Sequence, residues 1–523
     1  MPATKRPYPV TELETSGAHT ILLHGRRLHW REINEIAEQG CHLDLADEAW
    51  ERVRLARAAL LDSDQATYGM TTGLGVHAYG KSGAGNPGED FGISILIAHA
   101  TELDATPAPM HIARAAVIMW CNQAAATVGG VPGVSVELVQ VMISWLNNRE
   151  TSTPPMLDLL AKTDTGFGAI VVNSQLALHI LRESNGQFAY VRAGEALPLM
   201  SHSNLLLAKA ARQCASLEQL LAIGAAVSAL SLAGFEGNSA IFEDERRWRS
   251  ASEHEATAAS AIAAWTAGKP HWTPRRLQDP LDLRCLAGTF GVLRAAFVGA
   301  DGLASTLERL SSTAQCNPVV LPDEHGGFER GSATSTLFDT ACLRAALDNV
   351  RGGLGEVCGR THSRIVTLSA PLLNGSLPVG LSTKPNGGVH NFNLPVIAAA
   401  LAHRASAASA HRPVGVPVQA ADGVECVAAY TASASAAVDD LIESATSLLA
   451  IEALTALAAL RCRAATEEPT LTPQALGELI RQLDPLAQRL DTPTAPFSIR
   501  SFERALEKAV ADAFSYTLSH RTA

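Results

Sequence analysis

The chain has 523 residues, 47% of them hydrophobic and 18% charged, enough apolar matter for a large core and, on length, for more than one domain. A net charge of −11 with no block of lysine or arginine excludes a nucleic-acid surface. Nine widely spaced cysteines without a Cys-x-x-Cys pair exclude a disulfide framework and read as buried thiols of a reducing compartment.

The N-terminal stretch MPATKRPYPVTELETSG has no apolar core and does not read as a signal peptide. Alanine-rich stretches are interrupted by polar residues, which predicts that none reaches membrane-span length. A cytoplasmic protein without a membrane partner is expected. Short strands are predicted at 22–30 and 187–191. Helical spacing recurs at 50–61, 110–127, 203–233, 286–312, 334–358, 394–411 and 424–460. Long helices that are apolar around most of their circumference need partners on several sides, so a central bundle is expected, extended by oligomerisation. Irregular connections fall at 80–90, 128–133, 150–168, 266–283, 315–332 and 370–393. The fold class is mainly α. A smaller mixed part occupies 1–195, the bundle 196–465, and a helical tail 466–523.

Residues Tyr68 to Ser82 carry two overlapping patterns. Gly75 to Ser82 satisfies Gly-x-x-x-x-Gly-Lys-Ser, the phosphate loop of nucleotide hydrolases. That loop needs a buried strand before it and a helix after it. Here 61–67 is no apolar strand, and three glycines and a proline follow Ser82. Tyr68 to Gly75 instead reads as a glycine loop presenting one phenol. Further along, Gln278-Asp279-Pro280 and Leu283-Arg284-Cys285 place an arginine before a long apolar helix. Arg284 can hold a carboxylate through two parallel hydrogen bonds, or serve as a structural ion-pair partner. His99 and Ser94 are the polar members of an apolar stretch, and Asn317-Pro318 follows a helix end. Taken alone, His99 reads as a core histidine and Asn317 as a turn residue. The seventeen histidines contain no His-x-x-x-His pair with a third ligand in reach, so no metal is expected.

In their order, these segments resemble the aromatic amino acid lyase family of ammonia-lyases and aminomutases. The resemblance rests on Tyr68-Gly69-x-x-Thr72-Gly73-x-Gly75, the His99 segment, Gln278-Asp279-Pro280 with Leu283-Arg284-Cys285, Asn317-Pro318 with Gly326-Gly327-Phe328, and Leu449 to Leu454. It implies a tetramer whose active sites combine loops of more than one subunit. It also implies ammonia elimination from an aromatic amino acid on a methylidene-imidazolone electrophile, which the family makes from Ala-Ser-Gly. Tyr68 would move the proton and Arg284 would hold the substrate carboxylate. Asn317 would orient substrate or base, and His99 would shape the ring pocket. Ser94, Leu281 and Phe328 would line the substrate, with Glu425 in the place of a late carboxylate.

The chain departs from the family where the electrophile belongs. Asp164-Thr165-Gly166 stands on the tripeptide, and a threonine-derived product would carry an extra methyl on the reacting carbon. A methylidene-imidazolone from these three residues is therefore not expected, nor is a cofactor from solution. Leu281 replaces the family's aromatic residue after Gln-x-Pro. No Asn-Gly-Thr stands near 199–204, where Asn204 reads as a helix N-terminus. The function expected is a divergent ammonia-lyase-like enzyme acting on an aromatic or related amino acid, as a homotetramer. The alternative is a non-catalytic homologue serving as a binding or scaffold subunit.

Overall fold

The computed structural model describes residues 15–16, 20–75, 91–101, 105–148, 155–157, 170–184, 191–267, 272–382, 393–410, 426–465, 473–490 and 496–520. The protein is mainly α, as expected, with short strands. It divides into two compact units, each assembled from three stretches of chain. The first is Met1–Ala215, Leu303–Leu347 and Arg412–Ala436; the second is Ser216–Gly302, Asp348–His411 and Ala437–Ala523.

The first unit holds the described strands. Thr20–Leu23 pairs antiparallel with Thr15–Ser16 and parallel with His42–Leu45. Ala105–Pro107 pairs with Pro155–Leu157, and Val131–Pro132 with Val319–Val320. The helix Trp30–Gln39 starts on a capping box, in which the Glu32 carboxylate accepts the His29 N–H at 2.7 Å, and it ends at Gly40 with φ 62°. It packs on Met110–Ala124, a helix buried on every side from Ile112 onward. The strand expected over 22–30 is therefore only Thr20–Leu23, because the capping box commits Trp30 to a helix.

In the second unit, small residues let helices approach closely. Gly224 faces the Phe290 ring, Gly353 faces Leu293, and Gly234 lies against the Ala456 carbonyl, so a methyl at any of the three would collide. Arg364 and Glu452, both with no exposed side-chain surface, form a bidentate pair there. Arg364 Nε and Nη2 donate to Glu452 Oε1 and Oε2 at 2.7 and 2.9 Å. Thr361 Oγ1 takes a further Nη2 proton, and the Ser231 hydroxyl donates to Glu452 Oε1 at 2.6 Å. Glu452 of the Leu449 to Leu454 segment thus has a structural partner.

Several helices differ from their expected bounds. The helix expected over 286–312 is two, Leu286–Val298 and Leu303–Leu310, because Gly299 turns the chain out of helix and Gly302 folds back on it. The one expected over 334–358 runs Ala341–Ser369, its start set by Asp339 Oδ1 accepting the Ala341 N–H. The one expected over 424–460 runs Thr431–Ala464, after Tyr430 at φ 56°. The strand expected at 187–191 lies almost wholly outside the described residues. Three spans, Ala196–Phe235, Leu286–Leu310 and Thr431–Ala464, are long and apolar enough to cross a membrane, contrary to the expectation that polar residues would interrupt them. The interrupting hydroxyls do not break the helices, since Ser228 and Thr455 donate back to the carbonyls of Gly224 and Ile451. The most apolar windows of the first and last of these spans are 78% and 83% buried inside the protein, so the apolar faces already have protein neighbours.

Removing one member of the buried pair should strand the other charge. Arg364→Met is expected to lose about 3–5 kcal/mol of unfolding free energy, and Arg364→Met with Glu452→Leu to recover most of it. Urea unfolding followed by circular dichroism measures both, and equal losses in single and double variants would contradict the account.

Candidate functional site

The loop carrying Tyr68 follows the helix Asp47–Leu61 and closes on itself. The Thr67 carbonyl accepts the N–H groups of Met70, Thr71 and Thr72, while the Thr67 N–H donates to Thr71 Oγ1 at 2.7 Å. Gly69 sits at φ 72° with its open side against Leu197, where a Cβ would collide. At the end of the loop, Gly75 donates its N–H to the Tyr68 oxygen at 2.8 Å. Tyr68 is 37% exposed. An N–H aimed at that oxygen stabilises negative charge developing there. Residues 62–67 form no strand, and Lys81 and Ser82 of the phosphate-loop pattern lie outside the described residues.

The Asn317 loop docks beside this one. The Ser332 hydroxyl donates to Thr67 Oγ1 at 3.3 Å, the Gly331 N–H donates to the Ala59 carbonyl, and Arg330 pairs with Asp62. Phe328 and Met70 each pack against a core of Ala56, Leu60, Ala126, Val131 and Val320. Asn317, preceding a cis bond to Pro318, accepts the Ser335 N–H on Oδ1 at 2.7 Å. Its oxygen is therefore engaged by the loop, and its Nδ2 group is the end left to orient a ligand. Arg57, buried on the Asp47–Leu61 helix, ties the surroundings together by donating to the carbonyls of Gly133 and Ala193.

His99 ends the helix Phe91–His99, which packs against Ile170–Glu183 and Ala196–Met200, and Leu197 of the latter carries Gly69. His99 Nδ1 donates to the Ile95 carbonyl at 2.8 Å, and Ser94 is exposed. The first unit thus brings the loops of Tyr68, Asn317 and Phe328 together, with the His99 helix joined to them through Ala196–Met200.

Arg284 lies in the second unit, at the end of the short helix Leu281–Arg284. Its segment is held firmly. Asp282 Oδ2 accepts the hydroxyls of Ser363 and Thr367, and Asp279 Oδ2 accepts the Asn238 N–H at 2.7 Å. The aspartates around the Gln-Asp-Pro motif are therefore structural. Arg284 Nε has no hydrogen-bond partner among the described residues, and Leu281 is 65% exposed. Asp164, Thr165, Gly166 and Glu425 lie outside the described residues. Among the described residues, no group of acidic, histidine or cysteine side chains is arranged to hold a metal.

A buried polar network that sequence reasoning missed supports these loops. Gln123 and Asn204 exchange amide hydrogen bonds at 2.9 and 3.0 Å, and Gln123 also donates to the Leu310 carbonyl. Asn122 donates to the carbonyls of Arg26 and Ser311. Gln315 Oε1 accepts the Ser203 N–H, and Asn173 holds the carbonyls of Met200 and His202. The signal for this network in the sequence is weak: two adjacent amides, Asn122 and Gln123, near the end of a helix that is apolar from Ala115 to Cys121. A small apolar cavity lies alongside, between Trp120, Met142, Leu176, Leu199 and His202.

His202 is neutral in this network. Its Nε2–H donates to the Leu199 carbonyl and its Nδ1 accepts the Asn204 N–H. Burial pushes its pKa down to about 4. The unfolded chain then binds a proton near pH 6.5 that the folded chain refuses, so this group's contribution is full above that pH and is lost as pH falls towards about 4. The loss should approach about 3 kcal/mol. Urea unfolding between pH 7 and pH 4 should show it, and His202→Gln should flatten that part of the profile; an unchanged slope would refute the assignment.

The family model described as aromatic amino acid lyase matches residues 28–155 and 165–482. The match breaks over 156–164, the stretch that ends in Asp164. Histidine ammonia-lyase of Staphylococcus aureus (strain JH9) is 24% identical over 460 residues, covering 84% of this chain and 89% of that protein. Among solved structures, the ergothioneine-degrading enzyme Ergothionase of Treponema denticola, in complex with desmethyl-ergothioneine sulfonic acid, superposes with a TM-score of 0.79 at 18% identity, covering 94% of this chain and 99% of that one. Histidine ammonia-lyase of Trypanosoma cruzi superposes at 0.75 with 18% identity, covering 95% and 94%.

Proposed function

The chain belongs to the aromatic amino acid lyase family, and we propose that it is a carbon–nitrogen lyase that works without the family's methylidene-imidazolone. The observation that carries this reading is the Tyr68 phenol, partly exposed and held by the Gly75 N–H, in a chain with no Ala-Ser-Gly anywhere in its sequence. The residues aligned with the tripeptide do not fit the electrophile. Thr165 would place a methyl on the carbon that the substrate has to attack, and Asp164 adds a charge beside it.

An electrophile of that kind serves a substrate whose free amine has a lone pair to attack with. A fully N-alkylated amine has none, stays cationic, and leaves as a neutral tertiary amine. A chain without the electrophile therefore suits a betaine, an amino acid with a quaternary ammonium and an aromatic or imidazole-type ring. Ergothioneine, on which the Treponema denticola relative acts, is a betaine of this class. In the proposed step, Tyr68 acts as its phenolate, its own proton given up to solvent beforehand; the oxygen takes the proton from the ring-bearing carbon, that bonding pair becomes the carbon–carbon double bond, and the carbon–nitrogen pair departs with the tertiary amine. Asn317 Nδ2 and His99 position the substrate, and Ser94 and Phe328 border it; Arg284 is assigned to its carboxylate by the family resemblance alone. Leu281 and Glu425 are the further residues assigned to the substrate. A homotetramer is part of the proposal: Leu277, Leu281, Val366 and Leu372 stand exposed in the second unit, their segments tied by Asp282 and by Arg276 donating to the Leu372 carbonyl.

Intact mass should equal the encoded chain, without the loss of two waters. A panel of histidine, phenylalanine and tyrosine with their N-trimethyl betaines should show an absorbing unsaturated acid only from the betaines. Tyr68→Phe should lower kcat by about 10²–10⁴ with little change in KM. Turnover of the free amino acids together with the two-water loss would refute the proposal. Failure to turn over or bind any of them would favour the non-catalytic binding subunit.

A further inference from the structure

The long helix Asn204–Phe235 begins in a buried place that is rich in donors and short of acceptors. Ser203 precedes it, 1% exposed, and its N–H goes to Gln315 Oε1 at 2.8 Å. The Asn204 N–H goes to His202 Nδ1, and the Leu207 N–H to the Ser203 carbonyl. The N–H groups of Leu205 and Leu206 cannot be satisfied within the helix, and no partner for them occurs among the described residues. A serine at this position ordinarily accepts one of them. Here Ser203 Oγ makes no hydrogen bond among the described residues. The second observation is Gln315, 2% exposed, whose Nε2 is also without a partner among them. Because its Oε1 is fixed on the Ser203 N–H, that amide nitrogen is held at the same helix end.

We infer that Ser203 Oγ, Gln315 Nε2 and the first-turn N–H groups of Leu205 and Leu206 form a binding site for the carboxylate of a small ligand. A carboxylate is acceptor-only and satisfies several donors at once, and the positive end of the helix favours its charge. The donors are all uncharged. His202, whose ring is engaged on both nitrogens, adds no charge. Such a site suits a planar monoanion rather than a phosphate dianion. It sits in the same cluster of loops as Tyr68: Gln315 is two residues before Asn317, and Ser203 follows the Ala196–Met200 helix on which Gly69 rests. The site does not include Arg284 and stands whether or not the proposed elimination is correct.

The test is a titration of the full chain with ¹³C-formate at constant ionic strength, followed by line broadening. It is carried out in an Arg284→Ala background so that the arginine takes no part. Saturable broadening is expected. Gln315→Glu keeps the acceptor for the Ser203 N–H and replaces the free donor with a negative oxygen, so binding should weaken at least about tenfold. Ser203→Ala removes a hydroxyl that makes no bond among the described residues, and should weaken binding by about three- to tenfold. No saturable broadening in the Arg284→Ala protein, or equal binding in it and in the Ser203→Ala variant, would overturn the inference. Competition by inorganic phosphate as strong as that by acetate would overturn its restriction to a carboxylate.

Discussion

Taking a guanidinium and a carboxylate out of water costs several kcal/mol for each ion, and only close, complete pairing offsets it. In the second unit, Arg364 and Glu452 come close to that condition with two parallel hydrogen bonds and further partners in Ser231 and Thr361, while Arg364 Nη1 has no partner among the described residues. The four groups come from three long helices, Asn204–Phe235, Ala341–Ser369 and Thr431–Ala464. Hydrophobic contact is non-directional and alone does not choose one rotation of a helix over another. A charge pair without access to water tolerates only the arrangement that completes it. The close approaches at Gly224, Gly234 and Gly353 then fix how near the helices come.

The first unit solves a different problem. Its candidate residues sit on loops, which have to be held without regular hydrogen-bond ladders. The Tyr68 loop is knotted around the Thr67 carbonyl; the Asn317 loop is fastened to Thr67 through Ser332, to the preceding helix through Gly331, and to the core that Phe328 and Met70 both pack against. Beneath them, Asn122, Gln123 and Gln315 satisfy backbone groups that turns and helix ends leave open, and Asn204 holds the Gln123 amide. The glycine content of the Tyr68 loop is therefore a poor guide to its freedom. Gly69 is there because the backbone needs φ 72° and has Leu197 directly beside it.

The helical character was legible because apolar spacing repeats over long segments, and helix ends were legible only where a local signal exists. The split at Gly299 to Gly302 was written in two glycines, yet the apolar periodicity on both sides overrode them. The helix Trp30–Gln39 was hidden because its start depends on the His29 side chain acting as a cap, a role usually filled by serine, threonine or aspartate. Tyr68, Asn317, His99 and Arg284 are singled out as candidates by the order of short motifs. Gln315 and Ser203 are not, because their importance comes from hydrogen bonds between residues 112 positions apart and from donors left over once those bonds are made. Asp279 and Asp282 carry no mark in sequence that separates holding a loop from binding a ligand; only their partners do.

The exchange of amide hydrogen bonds between Gln123 and Asn204 has a consequence for how the protein can change over time. Each side chain is both donor and acceptor for the other, and both are out of reach of water. Altering one leaves a buried amide half-satisfied, whereas altering both to apolar residues of matching size removes the demand altogether. The two positions are thus bound into a single heritable unit, separated by 81 residues of sequence, in which one substitution alone is selected against and a compensated pair can pass.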